Sequence, residues 1–140
     1  MTYIELCLYE YKRNIKTLSR LKHKRNELMS VHAVCYDFIG IGSSAGVDVV
    51  ANTVDAVLKI DGDIERLIKK IAPVRKLLKS FAAKSHDDDV QRLKVILVRK
   101  FFKNENNELV SKRLGISKSS YWRNVRKVLN LARNFFYPEE

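Results

Sequence analysis

The chain has 140 residues, 46% of them hydrophobic, enough for one compact domain or for a small domain with an appended helical arm, which excludes wholesale disorder. Its 27 Lys and Arg against 16 Asp and Glu give a formal charge of +11, which calls for a polyanionic partner: nucleic acid, an anionic membrane surface or an acidic protein. No apolar run reaches the roughly 18–20 residues that span a bilayer, so no membrane partner of that kind is expected.

In chain order, residues 2–29 read as a first helix. Ile4, Leu8, Tyr11, Ile15 and Leu18 recur at spacings of four and three, a coiled-coil-like seam. Past Leu21 the surface turns basic with Lys22, Lys24 and Arg25. Residues 37–46 hold three of the five glycines and two serines, which is loop chemistry. A second helix is expected over 47–71, with Val50, Val54, Val57, Ile64, Ile68 and Ile71 on its apolar stripe. Asp61 falls within that stripe, and Gly62 beside it lowers helix propensity by about 1 kcal/mol relative to Ala, so an irregularity is expected there. Pro73 lacks an amide hydrogen and is expected to kink or end the helix, with 74–81 continuing beyond it.

Residues 84–86 read as a break. Ser85 is the expected cap of the next helix, because Asp87, Asp88 and Asp89 follow it and suit the positive end of a helix dipole. That helix, over 90–103, buries Val90, Leu93, Leu97 and Phe101. Residues 104–107 form a turn, helices follow over 108–114 and 118–136, and Pro138 closes the structure. No strand pattern stands out. The fold class is therefore all-α, with long N-terminal helices joined to a C-terminal helix-turn-helix: an arm over 1–83 and a second domain over 84–140.

The junction at 114–117 is the most specific local signal. Gly115 can take the left-handed conformation that ends a helix. Ile116 is the apolar plug of the bend, and the Ser117 hydroxyl can cap the next helix. At helical spacing Tyr121, Val125, Val128 and Leu129 form a core face, while Lys118, Ser119, Trp122, Arg123 and Arg126 point the other way. A basic, partly aromatic outer face suits a helix that enters the major groove of DNA. Arg123 and Arg126 can fork onto guanine edges, and Lys118 and Ser119 lie near the helix start, where base contacts concentrate. Trp122 either meets a sugar or thymine methyl or packs against the protein. Lys112, Arg113, Ser117, Lys127 and Arg133 are the expected phosphate anchors. Charge is densest here: residues 84–137 hold 13 basic and 5 acidic side chains, against 14 and 9 over 1–83. Lys22, Lys24 and Arg25 are either a second contact or a solvated face.

Other chemistry finds little support. His32 and Cys35 stand three apart, with Cys7 and His23 elsewhere, but no C-x-x-C or H-x-x-x-H pair occurs, and no metal is expected. His86 with Asp87, Asp88 and Asp89 could grip a cation, yet a helix start already accounts for those aspartates. The segment from Gly40 to Gly46 lacks the strand and the Gly-Lys-Ser/Thr ending of a phosphate-binding loop, so it reads as a connector. No Ser/His/Asp or Cys/His set has a defensible spacing, so neither an enzyme nor a cofactor is expected. Two cysteines make a poor disulfide framework, and the start Met1-Thr2-Tyr3-Ile4-Glu5 lacks the pattern of a secretion signal. The expected compartment is a reducing cytoplasm.

Residues 88–135 resemble region 4 of sigma factors: a helix with a buried face, a short helix, Leu114-Gly115-Ile116-Ser117, then a long basic helix. The chain more closely resembles the ArpU/RinA/LtrC family of small phage-encoded transcriptional activators. Ile116-Ser117, Ser120-Tyr121-Trp122-Arg123 and Arg126-Lys127 match that family's recognition helix. Ser111 departs from the usual Ala, and Tyr121 occupies a core slot that sigma factors give to Val or Ile. The resemblance implies a regulator that binds phage promoters and switches on late genes together with host RNA polymerase, at the nucleoid in the bacterial cytoplasm. A homodimer would set two recognition helices about one helical turn apart, near 34 Å. The rival reading is a helical interaction module that binds an acidic host protein or polymerase subunit without reading bases. A basic membrane-surface helix is a third, weakened by the globular context of Trp122 and Arg123.

Overall fold

A computed structural model describes the backbone over 1–39 and 44–138 and the side chains over 1–30 and 51–138. The elements are all helical: α1 (Tyr3–Tyr9), α2 (Tyr11–Ile39), α3 (Ser44–Ala83), α4 (Asp88–Ile96), a π-helical stretch (Leu97–Phe102), α5 (Asn107–Leu114) and α6 (Lys118–Phe136). No strand occurs among the described residues. The chain divides into two compact units, residues 1–14 with 70 onward, and residues 15–69.

The apolar stripe of α3 keeps Val57 and Ile71 of the expected row and departs from it elsewhere. Thr53, Val57 and Ile60 are buried, whereas Val54 and Ile68 are exposed and Ile64 is half-buried. Val57 belongs to both rows; the side chain of Val50 lies outside the described residues. Asp61 does not interrupt the helix, nor does Gly62. The reason lies 36 residues back: Arg25 Nε on α2 donates to Asp61 Oδ1 at 2.5 Å, so the carboxylate on the stripe faces a guanidinium. Residues 37–39 and 44–46, expected in the glycine loop, are helical. Helix α2 continues through Ile39 and α3 starts at Ser44; residues 40–43 lie outside the described residues.

Pro73 does not end α3 either. Proline removes one backbone donor, that expected by the Lys69 carbonyl, and an interior proline costs roughly 3 kcal/mol or more. Ile71, Val74, Leu77 and Phe81 on either side of it are all essentially fully buried. Each such side chain contributes about 1.5–3 kcal/mol, so the burial that continuing the helix secures exceeds the cost.

In the larger unit Thr2 caps α1, its Oγ1 accepting from the Glu5 amide at 3.2 Å. The single helix expected over 2–29 pauses at Glu10 and then runs ten residues further than expected. Along the seam Leu8, Tyr11 and Leu18 are buried, with Ile4 and Ile15 half-buried. Helix α1 packs on the π-helical stretch and on α6. Aromatic pairs mark both contacts, Tyr3 with Phe136 at 6.0 Å and Tyr9 with Phe101 at 5.1 Å between ring centres, and Tyr11 at the start of α2 adds a third with Phe102 at 4.7 Å.

Asp87, not Ser85, caps α4: its carboxylate accepts from the Asp89 amide at 2.9 Å. A carboxylate at that position also answers the helix dipole, which a hydroxyl does not. Ser85 instead offers its carbonyl to the Gln91 side chain. Leu93, Ile96, Leu97 and Phe101 are buried and Val90 is half-buried. The helix widens at its end, where the Lys103 amide reaches the Val98 carbonyl, five residues back, at 2.9 Å.

Candidate nucleic-acid interface

Helices α5 and α6 are set by their own caps. The Asn106 side chain accepts from the Glu108 amide at 2.8 Å and starts α5. Gly115 ends it at φ 66°, with its amide on the Lys112 carbonyl at 3.1 Å and the Ile116 amide on the Ser111 carbonyl at 3.3 Å. Those two bonds form a Schellman motif, in which a left-handed residue lets the chain turn back to satisfy the last carbonyls. Ser117, in extended conformation, then accepts from the Ser120 amide at 3.2 Å and starts α6. Only three residues separate the two helices.

The inner side of α6 is a row of buried residues: Tyr121, Val125, Val128 and Ala132, with Leu129 half-buried. Tyr121 also fixes the angle to α5, because its hydroxyl donates to Asn107 Oδ1 at 2.6 Å. Burial, with a smaller contribution from Tyr9, pushes this phenol up to about 12. The buried tyrosine thus gains a polar latch that an aliphatic side chain would lack.

The outer side carries the charge. Lys118, Arg123, Arg126, Lys127 and Arg133 all lie on α6, which has no acidic residue, and Lys112 and Arg113 stand at the end of α5. All seven are exposed, and none forms an ion pair among the described residues. Ser117 and Ser119 are exposed beside them, their hydroxyl oxygens 3.3 Å apart. Lys118, Ser119, Trp122, Arg123 and Arg126 share the first turns of α6, and Lys112 and Arg113 come up to the same bend. Arg133 stands apart, lining a cleft of about 300 Å³ with Thr2, Tyr3, Ile4 and Tyr137.

Trp122 packs in part against the protein. It is 39% exposed, yet its ring meets Tyr121 edge to face at 5.3 Å and lies 5.5 Å from Lys100 Nζ. Lys100 is not among the expected site residues. It is 8% exposed and donates to the Tyr9 hydroxyl at 2.8 Å. Its spacing from Leu93 and Leu97, seven and three residues, places it in the buried row that runs from α4 into the π-helical stretch, and that was the available signal.

The second basic cluster is thinner than its sequence. Arg25 is committed to Asp61, whose hydrogen bond raises the guanidinium above its ordinary range, leaving Lys22 and Lys24 exposed. Cys7 is buried and His23 faces Glu27 at 3.0 Å; the side chains of His32 and Cys35 lie outside the described residues. No helix among the described residues is long and apolar enough to cross a membrane. No family model, curated protein or solved structure matches the chain.

Proposed function

We propose that the chain is a sequence-specific DNA-binding transcription regulator whose α5–α6 pair acts as a sigma region 4-like helix-turn-helix. The observation that carries this reading is the outer side of α6, where Lys118, Arg123, Arg126 and Lys127 form no ion pair among the described residues while the inner side is locked by buried residues. Uncompensated cations on a rigid helix attract phosphates and can hold side chains in register with base edges.

In this reading α6 enters the major groove. Arg123 and Arg126 offer paired donors to guanine O6 and N7, and Lys118 and Ser119 serve the helix start. Lys112, Arg113, Ser117, Lys127 and Arg133 hold phosphates and set the register without reading sequence. The resemblance to the ArpU/RinA/LtrC activators extends the proposal to a phage-encoded regulator of late genes that acts with host RNA polymerase in the bacterial cytoplasm. A pair of such chains would occupy two half-sites about 34 Å apart.

Selection of bound fragments from a random duplex pool tests the reading. A defined motif should be enriched. On that motif Arg123→Ala should cost about 1–3 kcal/mol and relax the preference at one position, whereas Lys127→Ala should weaken all sequences alike. Absence of any enriched motif, or an Arg123→Ala protein with unchanged preference, overturns base reading by this face.

A further inference from the structure

We propose that Lys100 is a positioning residue for Trp122, holding the indole so that it sets base preference on one side of α6. The proposal rests on the reading of α6 as the base-reading helix.

A lysine 8% exposed is unusual, because an ammonium loses hydration on burial and normally requires a carboxylate in return. Lys100 has none within ion-pair distance among the described residues; Glu5 lines the same cleft without pairing to it. Its surroundings are one hydroxyl, Tyr9 at 2.8 Å, and three rings, with Nζ 5.4 Å from the centre of Tyr9, 5.0 Å from Phe101 and 5.5 Å from Trp122. All three distances fall within the reach of cation–π attraction. A leucine or methionine would fill this position without burying charge, so what the charge adds is its pull on the rings.

Two of those rings do not depend on it. Phe101 is buried and packs on Tyr9 at 5.1 Å. Trp122 does, since it is substantially exposed and sits on the outer half of α6, where a large side chain would otherwise exchange between rotamers. Held by Lys100 and by the edge of Tyr121, the indole lines two clefts. One, of about 340 Å³, includes Asn107 and Lys118; the other, of about 200 Å³, includes Tyr9, Lys100 and Arg126. Its exposed part is thereby a fixed apolar contact of the kind that recognises a thymine methyl. Lys100 and Phe101, both buried, lie on the widened turn.

Trp122 is the only tryptophan in the chain, so its fluorescence reports the contact directly. The experiment compares the full-length protein with Lys100→Met, which keeps length and removes charge, and Lys100→Arg, which keeps charge. Lys100→Met should shift Trp122 emission to the red and raise acrylamide quenching. It should also lower affinity for the selected duplex by roughly 2–10-fold, the size of one cation–π contact, with the lost preference confined to one base pair. The salt dependence of binding should stay as in the parent, and Lys100→Arg should restore both emission and preference. If Lys100→Met does not fold, Tyr9→Phe, which removes the hydroxyl that holds Nζ, should move emission and preference in the same direction.

Unchanged emission and quenching in the charge-free variant overturn the proposal. So does a salt slope shallower by about one phosphate, which would make Lys100 a phosphate contact. If the parent itself shows no sequence preference, the DNA-reading proposal fails separately, and the emission of Lys100→Met still decides whether Lys100 holds Trp122.

Discussion

Gly115 and Gly62 are the same residue under opposite constraints. Gly115 has φ 66° and open space where a Cβ would stand, so its cost on substitution is conformational: Gly115→Ala should destabilise by about 1 kcal/mol through the left-handed strain alone. Gly62 lies inside a regular helix, and an added Cβ would meet only the tip of Arg66 at 3.7 Å, an ordinary contact. Gly62→Ala should stabilise by about 0.5–1 kcal/mol, and urea unfolding of the two variants should separate them in sign. Tyr121 supplies a pH signature. Its folded-state value near 12 stands above the ordinary 10, so the fold favours the protonated phenol. That stability is fully present below pH 10 and is lost as pH rises from 10 to 12, where the unfolded chain releases a proton the folded one keeps. Tyr3 and Cys7, raised chiefly by burial, act in the same direction. Tyr121→Phe should therefore shrink the alkaline loss of stability without abolishing it, as read from unfolding midpoints across that window. Gly115 and Ser117 were legible from sequence because a left-handed turn and an N-cap each depend on one residue's own chemistry. Lys100 was not, since a lysine ordinarily marks the solvated side of a helix and only its place in the row with Leu93 and Leu97 says otherwise.

Helix boundaries show the same division between local and distant causes. Both ends of α5 and the start of α6 fall within a residue of their sequence-derived positions, because side-chain caps and a left-handed glycine fix them. Helix α3 runs without interruption through Asp61 and Gly62, where an irregularity was expected, and continues past Pro73 over 74–81 as expected, so the proline does not end it. The local arguments are overridden by something absent from the local window: an arginine 36 residues earlier, and a buried row on both sides of the proline. The shift of the buried row to Thr53, Val57 and Ile60 has a similar origin, since periodicity gives the spacing of an apolar face and leaves its centre to the partner helix. The cap at Asp87 was missed by two residues because Ser85 and three aspartates all qualify as caps, and only backbone conformation chooses among them. One prediction belongs to this scale. Pro73→Ala should restore a donor to the Lys69 carbonyl within an otherwise continuous helix and raise stability by about 1–3 kcal/mol in denaturant unfolding. A lower midpoint would mean that Pro73 makes packing contacts worth more than the missing bond.

The all-helical fold was legible at the scale of the whole chain, because no segment carries a period-two apolar pattern. The +11 charge makes a polyanion the proposed class of partner and does not name it. Duplex DNA and an acidic protein surface differ in how they hold counterions, and that difference is measurable. Binding to a duplex releases condensed cations, and the logarithm of affinity falls with the logarithm of salt by about 0.9 per neutralised phosphate. Lys112, Arg113, Lys127 and Arg133 are the four cationic anchors proposed here, so one bound copy should give a slope of about −3 to −4 and two copies about twice that. From 50 to 200 mM salt, a single copy should lose on the order of 100-fold in affinity. The slope thus tests the partner and the stoichiometry together, and charge reversal locates it: Lys127→Glu should make the dependence shallower on every sequence, whereas Lys22→Glu in the smaller unit should leave it unchanged. A slope near zero in a fully helical protein would remove duplex DNA as the polyanion and leave an acidic protein surface as the occupant of the same face.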